Sequence, residues 1–419
     1  MSSERAVTDA AAQPAAPASS AAPGSHRRPR VDAVDALRGL VMVFMCLDHT
    51  REYFGNLGDN PENLETTTPI LFFTRWITHY CAPTFVFLAG LAAWLYGRKV
   101  EDKLRLSQFL FTRGLWLVFL EFTVVYFGWA FSLRTLPLMF IVIAVIGTSM
   151  MVLSLLIWLP YRLLLVPGLG IVCLHNLLDS IHPDDCGSLA MLWIFLHEGG
   201  MLYGESVVVG YPLLPWAGVI TAGYCFGPVM ELPRARRRRL CAAIGGGCTL
   251  AFLLLRYLDL YGDPSGRIYT SSATINVLSF LRCTKYPPSL LYLLMTLGPA
   301  LIMLAIMDRD SAADPPAVWS PRSVLLTFGR VPLFYYVVHL YLIHSSAMLT
   351  YRIYCGKWIS PLVDFSTAMI AGESMPPEYG FSLPIVYLAW LCMLLILWPL
   401  CAWYGRFKRG RRHVIWSYL

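Results

Sequence analysis

The chain has 419 residues, 57% of them hydrophobic and 14% charged, and its mean hydropathy is +0.56. Soluble domains carry about 25% charged residues, so these figures exclude a soluble globular protein and point to an integral membrane protein with many spans. The net charge of +7 is no signal for nucleic acid, because the basic residues lie in short runs at the flanks of apolar segments.

Residues 1–26 are rich in Ala, Pro and Ser, with almost no large apolar side chain, and are expected to be disordered. They contain no apolar core followed by a cleavage site, so they do not read as a signal peptide. The first apolar segment is expected to act as an uncleaved signal-anchor. Windows of about 20 apolar residues give ten spans: 34–54, 70–97, 109–131, 136–159, 162–179, 211–230, 238–259, 287–307, 324–349 and 381–404. Segment 189–204 is short and interrupted by Glu198-Gly199-Gly200, and reads as an interfacial or re-entrant piece. With the N-terminus inside, Lys and Arg favour the cytoplasmic segments by about three to one. The Arg236–Arg239 run then lies inside, and the acidic stretch with Asp179, Asp184, Asp185 and Glu198 lies outside. The expected fold is an all-α polytopic membrane helix bundle of about ten transmembrane helices with both termini cytoplasmic. Residues 1–30 and 409–419 are expected to be tails around a membrane domain at 31–408.

Ionisable groups inside spans are the candidates for function, since each costs roughly 2.5–3.5 kcal/mol on insertion scales. Span one carries Asp35, Arg38, Asp48 and His49. Arg38 and His49 are eleven residues apart, about 16.5 Å of rise and within about 20° of one face. A fixed cation suited to phosphate therefore sits below a titratable base. The bland alternative is an Arg that snorkels and a His in a structural hydrogen bond. Asp35 lies one turn before Arg38 and is placed to orient it. Asp48 lies about 100° round the helix from His49, facing another helix. In span two, Arg75 and His79 share a face, and His79 is a second candidate base, with an interhelical hydrogen bond as its alternative. Lys285 and Tyr286 open span eight at the membrane boundary, either to bind an acceptor or to anchor the helix. Span nine places Arg330 near Arg38 and carries His339, which reads first as a core hydrogen-bonding residue, and His344. Most of the eleven cysteines lie in apolar runs as small hydrophobes. Cys186, Cys283 and Cys355 lie in or near outer loops, where one disulfide is conceivable though free thiols are favoured. No zinc spacing is present, and no metal is expected.

Five stretches in this order resemble the bacterial branch of the heparan-α-glucosaminide N-acetyltransferase-like membrane proteins: DALRGLVMVFMCLDH, RWITHYCAPTFVFLAG, GYPLLPWAGVITAGYCFG, SFLRCTKYPPSLLYLLMTLGP and FGRVPLFYYVVHLYLIH. The Arg-x10-His spacing of Arg38 and His49 is also similar to that of the wider transmembrane acyltransferase superfamily. The lysosomal enzyme has its catalytic histidine in the loop after this first helix. Here Thr50–Pro69 contains no histidine, so the superfamily's Arg-x10-His pair is the better template.

The resemblance implies transfer of an acetyl or longer acyl group from cytoplasmic acyl-CoA, acetyl-CoA being the expected donor, to a hydroxyl or amine of an extracytoplasmic glycan. The partners implied are acyl-CoA, a sugar or lipid-linked glycan acceptor and membrane lipid, with a homodimer left open and no nucleic acid. The location implied is a bacterial cytoplasmic membrane. In this reading Arg38, Asp35 and Arg330 hold the donor, His49, Asp48 and His79 carry the catalysis, and Lys285 and Tyr286 meet the acceptor. The rival readings are a transporter or lipid-carrier flippase lined by the same intramembrane groups, and a structural membrane protein.

Overall fold

The helices form where the sequence supplies start signals. In a computed structural model, which describes residues 32–56, 60–132, 136–204, 206–309, 316–317, 319–371 and 379–409, Thr68 caps a helix that begins at Pro69, its side chain accepting from the Leu71 N–H. Asp102, Ser272, Ser289 and Ser320 cap four further helices in the same way. The chain runs through α1 (Asp32–Phe54), α2 (Pro69–Val100), α3 (Lys103–Ala130), α4 (Val142–Leu156), α5 (Tyr161–Leu178), α6 (Leu213–Glu231) and α7 (Arg234–Leu258). It continues through α8 (Ala273–Leu281), α9 (Leu290–Met307), α10 (Pro321–Gly329), α11 (Pro332–Cys355), α12 (Pro361–Ala371) and α13 (Leu383–Arg409). The protein is an all-α polytopic membrane protein. Among the described residues eight helices are long and apolar enough to cross a membrane. Each of the ten segments expected from the sequence contains a helix, although the fourth opens with residues 138–140 in a strand; α1 carries more charge and α4 is shorter than the other eight.

Three details differ from the sequence reading. Span nine is two helices, because the chain turns at Arg330–Val331 and restarts with Pro332 in the first turn of α11. Segment 189–204 is a short helix, a π-helical turn at Ile194–Glu198 and a strand. A three-stranded sheet, invisible to an alternation search because each strand has three residues, joins β1 (Leu138–Phe140) parallel to β3 (Val207–Val209), with β2 (Gly200–Leu202) antiparallel to β3. All eleven cysteines are free thiols. The terminal tails, from 1 to 31 and from 410 onward, lie outside the described residues.

Helix α1 is the hub: it packs against α2, α9, α10, α11, α12 and α13. The approach to α10 is backbone to backbone. A Cβ at Gly39 would fall on the Leu325 carbonyl, and one at Gly329 on the Asp35 carbonyl. Gly90 lets α2 approach the Ile220 carbonyl of α6 in the same manner. Helix α6 is 72% buried across its apolar window, whereas α7 and α13 are 22% buried. The last two therefore present their apolar faces to lipid.

Two charges, one buried and one half-buried, organise the loops. Arg256 of α7 is fully buried and donates to the carbonyls of Ser279, Phe280 and Arg282 at 2.6–3.1 Å, satisfying the end of α8. Asp263 accepts from the Thr284 N–H at 2.9 Å and the Ser289 hydroxyl at 2.8 Å. These two bonds bracket Lys285–Pro288 and fix how that turn enters α9.

Candidate functional site

The two ends of α1 hold different chemistry. At the first end Arg38 donates from Nη1 to Asp35 Oδ1 at 3.0 Å and to the Gly329 carbonyl at 3.1 Å. Asp35 thus sits where its i,i+3 spacing puts it, and the second contact exists because α10 approaches so closely. Arg38 lines a cavity of about 370 Å³ between α1, α2, α3, α4 and α11. Its walls are apolar, with Met42, Met45, Leu117, Ile143 and Leu333 among them, and Arg113 is a second guanidinium on the lining. Arg330 neighbours this end but does not line the cavity; its Nη2 lies 3.2 Å from Asp32 Oδ1 and the side chain is 44% exposed.

The cavity reaches Met45 and Tyr336, one helical turn short of His49. His49 Nδ1 lies 2.7 Å from His339 Nε2. His339 Nδ1 lies 3.0 Å from the Tyr335 carbonyl. A carbonyl only accepts, so His339 carries its proton on Nδ1 and its Nε2 is an acceptor. His49 must then donate from Nδ1, which leaves Nε2 of His49 as a bare lone pair. Among the described residues Nε2 has no hydrogen-bond partner, and it is not among the sealed polar atoms. Trp129 packs edge-on to His49 at 4.8 Å between ring centroids, and Tyr336 packs on His339 at 5.5 Å. The Trp129 indole N–H and the Tyr336 hydroxyl approach each other, but both are buried without a hydrogen bond of ordinary geometry.

Beyond His49 the charge density rises. Arg75 Nη1 of α2 lies 2.7 Å from both oxygens of Asp48, and Arg51 Nη2 lies 3.3 Å from one of them. Asp48 therefore faces α2. Its direct partners are the two guanidiniums, and its contact with His49 is through charge alone. His79 donates from Nε2 to Glu62 Oε1 at 2.7 Å, and its Nδ1 is sealed without a partner. Burial by itself would raise the Glu62 carboxyl, but the His79 hydrogen bond and the Arg75 and Lys285 charges outweigh it and hold the carboxyl down at about 2. Lys285 is buried, with Nζ 5.1 Å above the Tyr286 ring, and its charge acts on Asp48, His49 and Glu62. Tyr286 is half exposed and packs edge-on to Tyr211 at 5.3 Å.

The structure therefore gathers His49, Asp48, Arg75, His79 and Lys285 at one end of α1 and Asp35, Arg38 and Arg113 at the other. Sequence reasoning missed Glu62, Arg113, Trp129 and Tyr336 as parts of the site, and it favoured a core role over a catalytic one for His339. Glu62 reaches His79 from the loop after α1, where no pattern marks it. Arg113 is, in the sequence, one more cation at the flank of an apolar segment. Trp129 and Tyr336 are ordinary span aromatics until their neighbours are known.

Compared with known families, residues 30–270, more than half of the chain, match the sequence model described as heparan-alpha-glucosaminide N-acetyltransferase, catalytic. The match covers α1 to α7 and stops before Lys285, Arg330 and His339. No curated protein matches the chain.

Proposed function

The chain belongs to the heparan-alpha-glucosaminide N-acetyltransferase catalytic family, which makes it a membrane acyltransferase by family, and from that premise we propose that it moves an acetyl group from acetyl-CoA to a hydroxyl or amine of an envelope glycan. The donor enters at the Arg38 end, on the cytoplasmic side, and the acceptor binds at the His49 end, on the outside of a bacterial cytoplasmic membrane. The observation that carries this reading is the hydrogen-bond relay from the Tyr335 carbonyl through His339 to His49. It holds His49 in the one tautomer that offers Nε2 as a base, directly above a cavity that begins at a fixed cation.

The arrangement supports the following chemistry. Arg38 and Arg113 meet the phosphates of the donor, and the apolar cavity accommodates the acyl-bearing arm. His49 Nε2 takes the proton from the acceptor O–H or N–H as that atom attacks the thioester carbonyl carbon. The carbon–sulfur bond then breaks, and the His49 proton goes to the departing thiolate, giving acylated acceptor and free CoA thiol. Trp129 and Tyr336, packed on His49 and His339, hold the two imidazoles in register. Lys285 and Tyr286 receive the acceptor. His79 holds Glu62 and the α1–α2 charge network in place.

The test is an assay of the detergent-purified protein with radiolabelled acetyl-CoA and an envelope glycan extract. Label is expected to pass to the glycan fraction. Movement of a solute across proteoliposomes without acetyl-CoA, with no label transferred, would support the transporter reading instead.

A further inference from the structure

A second cluster of polar side chains lies away from the acyl-transfer site. His175 opens the 3-10 turn His175–Leu178 that ends α5, and Asp179 caps that turn. His197 comes from the π-helical turn at Ile194–Glu198, a departure from α-helical geometry that is frequent at functional sites. One ligand atom from each of the three lies within 4.8 Å of the others.

What distinguishes this cluster is unsatisfied chemistry. His175 is 2% exposed, and neither of its ring nitrogens has a hydrogen-bond partner among the described residues. His197 is equally buried; its Nε2 lies 3.1 Å from Asp179 Oδ1 and its Nδ1 is unpaired. Burying an imidazole with no partner at all leaves its desolvation cost uncompensated. Core packing supplies no reason to keep two such groups beside a carboxylate. A metal ion supplies one.

We propose that His175, Asp179 and His197 bind a divalent metal ion of the zinc class. Two imidazoles and one carboxylate, with a fourth position left for water, form a known zinc donor set. The 3.1 Å between His197 Nε2 and Asp179 Oδ1 suits two ligands of one ion. Binding draws His175 inward from its present separation. The supporting contacts are also in place. Asn176 donates from Nδ2 to Asp179 Oδ2 at 2.8 Å, and its Oδ1 accepts from the Leu290 N–H at 2.8 Å. The carboxylate is thereby oriented as outer partners of metal ligands usually do, and the site is tied to the first turn of α9. Asp179 is partly exposed and gives an entry path. The ion would lock the end of α5 to the 194–198 turn and, through Asn176, to the helix that follows Lys285. Sequence spacing gave no hint of this, because the third ligand lies 18 residues beyond the second.

The test uses the full-length purified protein, stripped with a chelator and titrated with Zn2+ in competition with a chromophoric chelator. One equivalent is expected to bind, to raise the melting temperature, and to be unaffected by excess Mg2+ or Ca2+. His175→Ala and Asp179→Asn are expected to weaken binding at least tenfold. His182→Ala, which alters an exposed histidine of the same region, should leave the stoichiometry at one. If the wild-type chain takes up no stoichiometric Zn2+, or if Mg2+ or Ca2+ displaces it, the proposal fails whether or not the variants fold. Unchanged affinity in a folded His175→Ala protein would overturn the ligand assignment. None of these readouts depends on acyl transfer.

Discussion

The two histidines at the far end of α1 and in α2 look alike in sequence, each in a span and each near an arginine, yet they are held in opposite ways. His49 spends its Nδ1 proton on His339 and keeps Nε2 open. His79 spends its Nε2 proton on Glu62 and has its Nδ1 sealed inside the protein. A base must reach the proton it removes. Accessibility of the lone pair, rather than basicity, therefore separates a candidate catalyst from a structural residue. The Glu62 carboxylate holds the His79 ring in place, while the remaining nitrogen of that ring has no path to a substrate. A neutral carbonyl relay, rather than a hydrogen-bonded carboxylate, orients His49.

The sharpest way to break this contrast is to remove each imidazole in turn. His49→Ala is expected to lower kcat for acetyl transfer by about 100- to 10,000-fold, the usual worth of a positioned general base. His79→Ala is expected to lower it less than about tenfold, as a group without a transition-state role should. Equal losses, measured by label transfer under saturating donor, would show that His79 shares the proton chemistry. The next effect concerns folding. The Asp48 and Arg75 side chains are only 11% and 13% exposed, and Asp48→Asn removes the nearest carboxylate of Arg75 and Arg51, leaving them Glu62 at 3.6 Å and Glu52 at 3.7 Å. A loss of about 3–5 kcal/mol follows from breaking one side of such a pair, seen as a lowered melting temperature in detergent.

The smallest effect is acid sensitivity. Glu62 has its carboxyl held at about 2 in the folded protein, below its ordinary value of about 4.3. Its ionised form therefore adds stability that is complete above about pH 4.5 and is lost as pH falls towards 2. Glu62→Gln should flatten the acid limb of the stability profile in that window and leave the slope near neutrality unchanged. An unaltered acid limb would mean that His79 and Arg75 do not depend on Glu62.

The all-α membrane architecture, the apolar segments and the spacing of Arg38 and His49 were legible in the sequence, because hydropathy and helical periodicity are local properties. The Asp35–Arg38 pair is a three-residue interval and could be read in the same way. The His49–His339 bond joins residues 290 apart, and the Asp48–Arg75 pair crosses from one span to the next. No local pattern encodes either. The break at Arg330–Val331 was hidden because the apolar run continues through it, and only the proline hinted at a restart. The direction of Asp48 could be inferred from its 100° offset, while its partner could not.

The central claim is that α1 divides the work, with donor binding at Arg38 and proton transfer at His49. Equilibrium binding of acetyl-CoA to the purified variants tests it most directly. Arg38→Ala is expected to weaken binding about 10- to 100-fold, the equivalent of about 1.5–3 kcal/mol for a charged hydrogen bond, and His49→Ala is expected to bind the donor as the wild type does. Unchanged affinity in Arg38→Ala, or an equal loss in His49→Ala, would contradict the account.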